Sequence, residues 1–286
     1  MVAILSRDPE LYSTQVLVET FENSGHEVRV LDSLSLEVKV GHGVFQNGKK
    51  LEPSLIFPRF SSQILVAGLA VIREWEREKR SIINGSRSLM LAHDQLATLQ
   101  ALSSASLAIP ETSFCSQPHN EATYTSLLGN SPKVIKLLEA SQGKGVNLAP
   151  DKIIGKSLLS TLAYLRSSGI TQEFLEEAKG SDIRILIFKG QVIGAIKRTS
   201  NSEDFRANLH QGGTMEKYSP SEEEKSIAVS ATKTLGLDFA GVDLIQSERG
   251  KLVLEVNASP GLEGVDLGDR GRTARLIQSH LPQVHA

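Results

Sequence analysis

The sequence predicts an α/β protein built from several lobes, and three observations carry that reading. In the first third, short apolar runs alternate with amphipathic helical stretches. In the last third, paired strand patterns separated by turn residues replace that alternation. At 286 residues and 40% apolar content, the chain can bury one substantial core or two or three modest ones.

Val2 to Leu5 reads as a first strand, Ser13 to Gly25 as a helix, and Glu27 to Leu31 as the next strand. Leu55 to Arg59 is a further buried strand, Ala67 to Arg80 a helix with a charged outer face, and Ile82-Ile83-Asn84-Gly85 a strand entering a turn. The opening strand runs into Ser6-Arg7-Asp8-Pro9 rather than a glycine-rich turn, so a dinucleotide fingerprint is unsupported. A helical pattern covers His93 to Leu107, and Ile109-Pro110-Glu111-Thr112 opens a strand-rich region. Lys133 to Leu138, the turn Gln142-Gly143-Lys144-Gly145 and Val146 to Leu148 form a strand-turn-strand unit, followed by a helix near Lys156 to Ser168. Gln172-Glu-Phe-Leu175 begins the last lobe. There Ile183 to Phe188 and Val192 to Lys197 flank Lys189-Gly190 as a hairpin, Ser221 to Leu235 is helical, and a second hairpin closes around Ser247 to Gly250. The expected lobes are 1–92, 93–172 and 173–286.

Composition excludes several classes. No run of eighteen apolar residues exists, and Met1 to Arg7 lacks the form of an export signal. Cys115 is alone, which rules out an intrachain disulfide and thiolate-rich metal sites and fits a reducing, cytoplasmic setting. A net charge of −2 with interspersed signs gives no general pull toward nucleic acid or a membrane. Neither is expected as a direct partner.

Three groups of residues point to chemistry. Glu255 and Asn257 are two apart on a strand and share one face, while Leu254 and Val256 face the core. Asp243, in Ala240-Gly-Val-Asp243, lies across the hairpin from Leu254 or Glu255. Two carboxylates and an amide suit Mg²⁺, though a solvated polar sheet face has the same spacing. The Gln142 to Gly145 turn, behind the strand carrying Lys136, lets backbone N–H groups approach an anion, with Lys136 and Lys144 adding charge. Glycines in many hairpins merely turn the chain. Arg184, Arg198 and Arg206 can pair with phosphate or carboxylate, as can any surface arginine with an acidic neighbour. Gly155-Lys156-Ser157 imitates the end of a phosphate-binding loop, but Pro150 occupies the required glycine position, so Ser157 is placed near a helix start. Asn257-Ala-Ser259 is followed by Pro260 and makes a poor glycosylation site, and His210 reads as a loop histidine. No credible Ser/His/Asp or Cys/His set is present.

Gln172-Glu-Phe-Leu175, Gly180-Ser-Asp-Ile-Arg184, Asp204-Phe-Arg-Ala-Asn-Leu-His-Gln-Gly-Gly213, Ala240-Gly-Val-Asp243 and Leu254-Glu-Val-Asn-Ala-Ser-Pro-Gly-Leu-Glu-Gly264 occur in this order. Together with Ile4 to Asp8 and Pro58-Arg59, they resemble the ATP-grasp glutamate ligases of the RimK type over nearly the whole chain. The resemblance implies an N-terminal α/β pre-ATP-grasp lobe, a central lid and a C-terminal antiparallel-sheet lobe, with ATP between two antiparallel sheets. It assigns Lys136 and Gln142, Gly143, Lys144 and Gly145 to the phosphates, and Glu173, Phe174, Leu175 and Asp182 to the adenosine pocket. Arg206 and Asn208 fall to the phosphate region, and Asp243, Glu255 and Asn257 to two Mg²⁺ ions, for which Mn²⁺ can substitute. Arg198, Arg206 and Arg184 would handle phosphoryl or carboxylate groups. The sequence departs from the family at Asp94-Gln95, where Asp-Lys is common and the lysine contributes to nucleotide binding.

The implied reaction is ATP-dependent, ADP-forming ligation through an acylphosphate, adding L-glutamate to a protein or peptide ending in glutamate, notably the C-terminus of a small-subunit ribosomal protein. The alternatives are ligation to a carrier protein or small metabolite, and a nucleotide-binding regulator with weak turnover, which Gln95 keeps in view. A homo-oligomer, a tetramer, follows from the resemblance alone.

Overall fold

The computed structural model describes residues 1–116, 118, 120–130, 132–138, 145–178, 180–200 and 213–281. Strand β1 (Val2–Leu5), helix α1 (Tyr12–Glu22) and strand β2 (Val28–Leu31) come first. A small antiparallel ribbon follows, made of β3 (Glu37–Lys39), β4 (Gly43–Gln46) and β5 (Lys49–Lys50). With β6 (Leu55–Pro58), α2 (Leu65–Arg77) and β7 (Ser81–Ile82), the first lobe forms a parallel sheet ordered β2-β1-β6-β7. Its two central strands, β1 and β6, are buried throughout without alternation because both faces are covered, as in parallel sheets generally.

The helical pattern over His93 to Leu107 corresponds to helix α4 (Gln95–Ser104), and a helix not read from the sequence, α3 (Ser86–His93), precedes it. The break falls at Asp94, whose extended backbone and side chain, accepting from the Ala97 N–H at 2.9 Å, cap α4. The second sheet, ordered β10-β9-β11-β8, is antiparallel. It contains β8 (Thr112–Phe114), β9 (Lys133–Leu137), β10 (Val146–Ala149) and β11 (Gly169–Glu173), with α5 (Glu121–Leu128) and α6 (Lys152–Tyr164) packed beside it. Gln172 and Glu173 therefore close this sheet instead of opening the last lobe. Ser157 lies inside α6 and not at its start, because Asp151 caps the helix by accepting from the Ile154 N–H. Gly155 serves close packing: a Cβ there would stand 2.5 Å from Leu128 Cδ2.

The third sheet carries the functional face. Its strands are β12 (Ser181–Phe188), β13 (Gln191–Thr199), β14 (Thr214–Lys217), β15 (Phe239–Ser247) and β16 (Gly250–Asn257), ordered β14-β13-β12-β15-β16 and all antiparallel. Helix α7 (Glu222–Thr234) covers one face, its first turn fixed by a capping box between Ser221 and Glu224. Along β12 the side chains alternate: Ile183, Ile185 and Ile187 join the core under α7, while Asp182, Arg184, Leu186 and Phe188 point to the other face. That second face is apolar at the Phe188 end, where Leu262, Val265 and α8 (Arg272–Ser279) pack against α1. It is charged at the Asp182 end.

Asn84 locks the parallel sheet onto the third one. Fully buried and in a left-handed turn at φ 69°, it donates to the carbonyls of Phe239 at 2.7 Å and Ala258 at 2.9 Å. It also accepts from the Phe239 N–H at 2.9 Å. Asn is among the few residues with a side chain that tolerate this backbone region. No helix among the described residues is long and apolar enough to cross a membrane. Asn84→Ala should lower the unfolding free energy by about 2–4 kcal/mol, since it strands three buried backbone groups. Urea titration checks this, and a loss below about 1 kcal/mol would show that the seam does not depend on the amide.

Candidate functional site

Register builds the site. Arg184 stands opposite Asp243, and Asp243 opposite Glu255, so one row crosses β12, β15 and β16 on a single face. Asp182 stands opposite Arg198 in the next row, and Asn257 opposite Gly241. A bulge sets this phase. The register shifts after Asp243, leaving Leu254 without a pairing partner, so Val253 and Val256 both face the α7 core while Glu255 and Asn257 face the site. Leu254, expected in the core, is consequently only half-buried.

The ion pairs are tight and mostly dry. Arg184 donates from Nε and Nη2 to the two oxygens of Asp243, both at 2.7 Å. Arg198 donates from Nε and Nη2 to Asp182, both at 2.6 Å, and from Nη2 to Asp243 Oδ2 at 2.7 Å. Asp243 is 2% exposed, Arg198 6% and Asp182 8%. Two guanidiniums and two carboxylates thus balance in a place that would not hold either sign alone. Burial would raise the Asp243 carboxyl, but Arg184 and Arg198 outweigh it and hold the group below the usual range. Asp182 goes the other way. Burial and then the nearby Asp243 charge push it up to about 6 against the pull of Arg198.

Lys136 faces this row from the second sheet. Burial lowers its pKa, while Glu255 and Asp243 pull it back up, so all three share one electrostatic environment. Gly145 returns the chain to β10 at φ 72°, and a Cβ there would stand 2.6 Å from Leu137 Cδ1. Beside the row, Glu173, Phe174 and Leu175 line a cleft of about 320 Å³ with Pro132, Ser247 and Arg249. Leu175 packs there with Ala178, Leu252 and Ile245, giving the cleft an apolar floor. Asp182 is held by Arg198 and is not among the residues lining the cleft.

Gln142, Gly143, Lys144, Arg206, Asn208 and His210 lie outside the described residues. Sequence reasoning missed Arg249. From the β15–β16 turn it pairs with Glu173 at the cleft mouth, and this pairing with its two hydrogen bonds pulls the Glu173 carboxyl down against the upward push of burial. Its place in a polar turn carried no signal, because the partner is 76 residues away.

Two antiparallel sheets facing one another across a charged row, behind a parallel N-terminal lobe, define the ATP-grasp class. Solved structures agree on the fold. The ATP-grasp ligase PsnB complexed with a minimal precursor matches with a TM-score of 0.74 at 22% identity over 98% of both chains. A RimK domain ATP-grasp protein from Sphaerobacter thermophilus matches at 0.75 and 19%, again over 98% of both. Residues 1–89 match the RimK PreATP-grasp domain and residues 92–274 the RimK-like ATP-grasp domain. The chain belongs to the RimK-like ATP-grasp family, which uses ATP and Mg²⁺, and it is a carbon–nitrogen ligase that forms amide bonds. Among curated relatives, a probable alpha-L-glutamate ligase of Cellvibrio japonicus is 38% identical over 99% of this chain and 95% of its own. One of Serratia proteamaculans is 40% identical over 93% and 90%.

The opposite shifts of the two aspartates separate their roles in stability. Asp243→Asn removes the anion between two buried cations and should cost about 3–5 kcal/mol. Asp182→Asn should cost far less, because burial already favours its neutral form. The sign for Asp182 follows from its raised folded-state value: its contribution favours folding below 3.8 and is lost as pH rises through about 6. Chemical denaturation of metal-free protein between pH 4 and 7 should therefore show wild type losing stability relative to Asp182→Asn. Parallel pH profiles for the two would contradict this assignment.

Proposed function

We propose that the protein adds L-glutamate to the C-terminal carboxylate of a protein or peptide ending in glutamate, through an acylphosphate. The observation that carries this is the Arg184–Asp243–Glu255 row, with Lys136 opposite it, in a chain 38–40% identical to probable alpha-L-glutamate ligases.

Asp243, Glu255 and Asn257 are the proposed metal ligands. Their carboxylate and amide oxygens are the donor type that Mg²⁺ or Mn²⁺ takes, and the register puts Asp243 opposite Glu255. The lone pairs allow it. Asp243 Oδ2 accepts from both arginines, but Oδ1 accepts from Arg184 Nε alone. Asn257 Oδ1 gives one lone pair to the Ser259 N–H, which orients it, and Glu255 is exposed. Bound there, the metal would supply charge neutralisation at the β- and γ-phosphate oxygens.

The chain's own residues do the rest. Lys136 sits opposite the row to hold phosphate oxygens, a role the sequence resemblance also gives to Gln142, Gly143, Lys144, Gly145, Arg206 and Asn208. The cleft of Glu173, Phe174 and Leu175 takes the adenosine. Arg184 and Arg198 give their Nε and Nη2 donors to aspartates in the described bonds, which leaves their Nη1 sides for the transferring phosphoryl group. Asp182 holds Arg198 in that orientation.

An acceptor carboxylate oxygen attacks the γ-phosphorus, and the bond to the β–γ bridging oxygen breaks to release ADP. The glutamate amine then attacks the acyl carbon; the C–O bond to phosphate breaks, and the amine proton leaves to solvent. Exclusion of water protects the acylphosphate between these steps. The acceptor proposed is the C-terminus of a small-subunit ribosomal protein, acted on by a homotetramer.

Intact-mass spectrometry of a Glu-terminated peptide incubated with protein, Mg-ATP and L-glutamate should show added glutamyl units that require ATP. An unchanged peptide with undiminished glutamate-dependent ADP release would shift the acceptor to a carrier protein or metabolite. Glu255→Gln should reduce product formation by about 10²-fold or more, and near-normal turnover would remove Glu255 from the metal site.

A further inference from the structure

Arg59 follows the C-terminal end of β6, a place at which parallel α/β sheets commonly bind ligands. Its backbone N–H donates to the Leu5 carbonyl at 2.8 Å, and its Nη2 donates to the Pro260 carbonyl at 2.9 Å. Nη1 is buried and has no partner among the described residues. Burial alone lowers the guanidinium to about 10, and no described carboxylate stands close enough to offset it. Arg184 and Arg198 are different, since each faces an aspartate. A buried guanidinium without an anion is costly, and a substrate that brings the anion relieves that cost.

The surroundings say what the anion belongs to. Pro260 sits on the turn after β16, one residue beyond Ser259, whose N–H holds Asn257 Oδ1 at 2.8 Å. A Cβ on Gly241 would stand 2.9 Å from Pro260 Cβ and 3.5 Å from Arg184 Cδ. Arg59 therefore reaches the neighbourhood of the Arg184–Asp243 row from the N-terminal lobe, through Pro260. Lys136 and the metal-ligand row are in place for phosphates, whereas the reaction also brings free carboxylates on the amino acid and on the acceptor. A planar guanidinium fork matches a carboxylate.

We infer that Arg59 binds a carboxylate of the amino-acid or peptide substrate through its Nη1 side, at the seam between the parallel sheet and the turn 258–262. This rests on the ligase reading above. The carboxylate fixes the substrate relative to the acyl carbon, so Arg59 sets affinity and specificity for an acidic substrate without taking part in phosphoryl transfer.

Two variants separate charge from support. Arg59→Gln keeps a donor for the Pro260 carbonyl and removes the charge; Arg59→Lys keeps the charge and removes the fork. ADP release is followed while L-glutamate, Glu-terminated peptide and ATP are varied in turn, and the thermal midpoint is recorded for each protein. The expected result is a rise of about 10–100-fold in KM for one carboxylate substrate in Arg59→Gln, partly restored in Arg59→Lys. KM for ATP should stay unchanged, and the midpoint of Arg59→Gln should not fall, because the variant loses an unpaired buried charge. A rise confined to L-glutamate assigns the carboxylate to the incoming amino acid, and one confined to the peptide assigns it to the acceptor. Unchanged KM values with a lowered midpoint, or a change in KM for ATP alone, would overturn the inference.

If wild type ligates no glutamate, the functional reading fails first. Calorimetric titration of the protein and Arg59→Gln with L-glutamate, L-aspartate and glutarate, in the presence of Mg-AMPPNP, then decides Arg59 separately. Binding by wild type that Arg59→Gln loses sustains the inference; equal binding, or none by either protein, ends it.

Discussion

The site depends on strand register. Arg184, Asp243 and Glu255 are neighbours only because β12, β15 and β16 pair at those residues, and Asp182 meets Arg198 for the same reason. A slip of one position would turn the charges into the α7 core and the isoleucines onto the site face. Two forces oppose the slip together. Ile183, Ile185 and Ile187 are held under α7 by burial, and the charges on the other face are stable there only as a balanced set. The apolar face fixes the register, and the register brings the ions together.

Around that row, the surrounding elements contribute a few specific contacts each. The second sheet brings Lys136 close enough for Asp243 and Glu255 to act on its charge. The β15–β16 turn reaches back to Glu173 through Arg249, and both residues line the cleft. The parallel lobe is tied on by Asn84, by Ser13 accepting the Leu262 N–H at 2.9 Å, and by Arg59 on Pro260. These last contacts converge on residues 258–262, the stretch that follows the last proposed metal ligand. Binding in the seam and chemistry on the row are thereby linked through one short turn.

Much of this was legible in the sequence. The spacing of Glu255 and Asn257 states that they share a face, and the helical pattern from Ser221 to Leu235 marks α7. What was hidden has physical causes. The start of α4 at Asp94 carries no apolar signal, because the cap replaces a hydrogen bond and not a hydrophobic contact, and α3 before it is not read from the sequence. Leu254 reads as core until the bulge gives its phase to Val253. Asp182 reads as a nucleoside contact, and its partner Arg198 is 16 positions away on the paired strand. The partners of Asn84 lie 155 and 174 positions away, and no local pattern encodes such distances.

The central claim is that this balanced row moves a phosphoryl group onto a substrate carboxylate before the amide forms. A Glu-terminated peptide carrying ¹⁸O in its C-terminal carboxylate, turned over with Mg-ATP and L-glutamate, tests it most directly. The account predicts one ¹⁸O atom in the inorganic phosphate for the first amide bond made on each peptide. Amide formation with unlabelled phosphate would contradict it, because the carboxylate would then have been activated without passing through an acylphosphate.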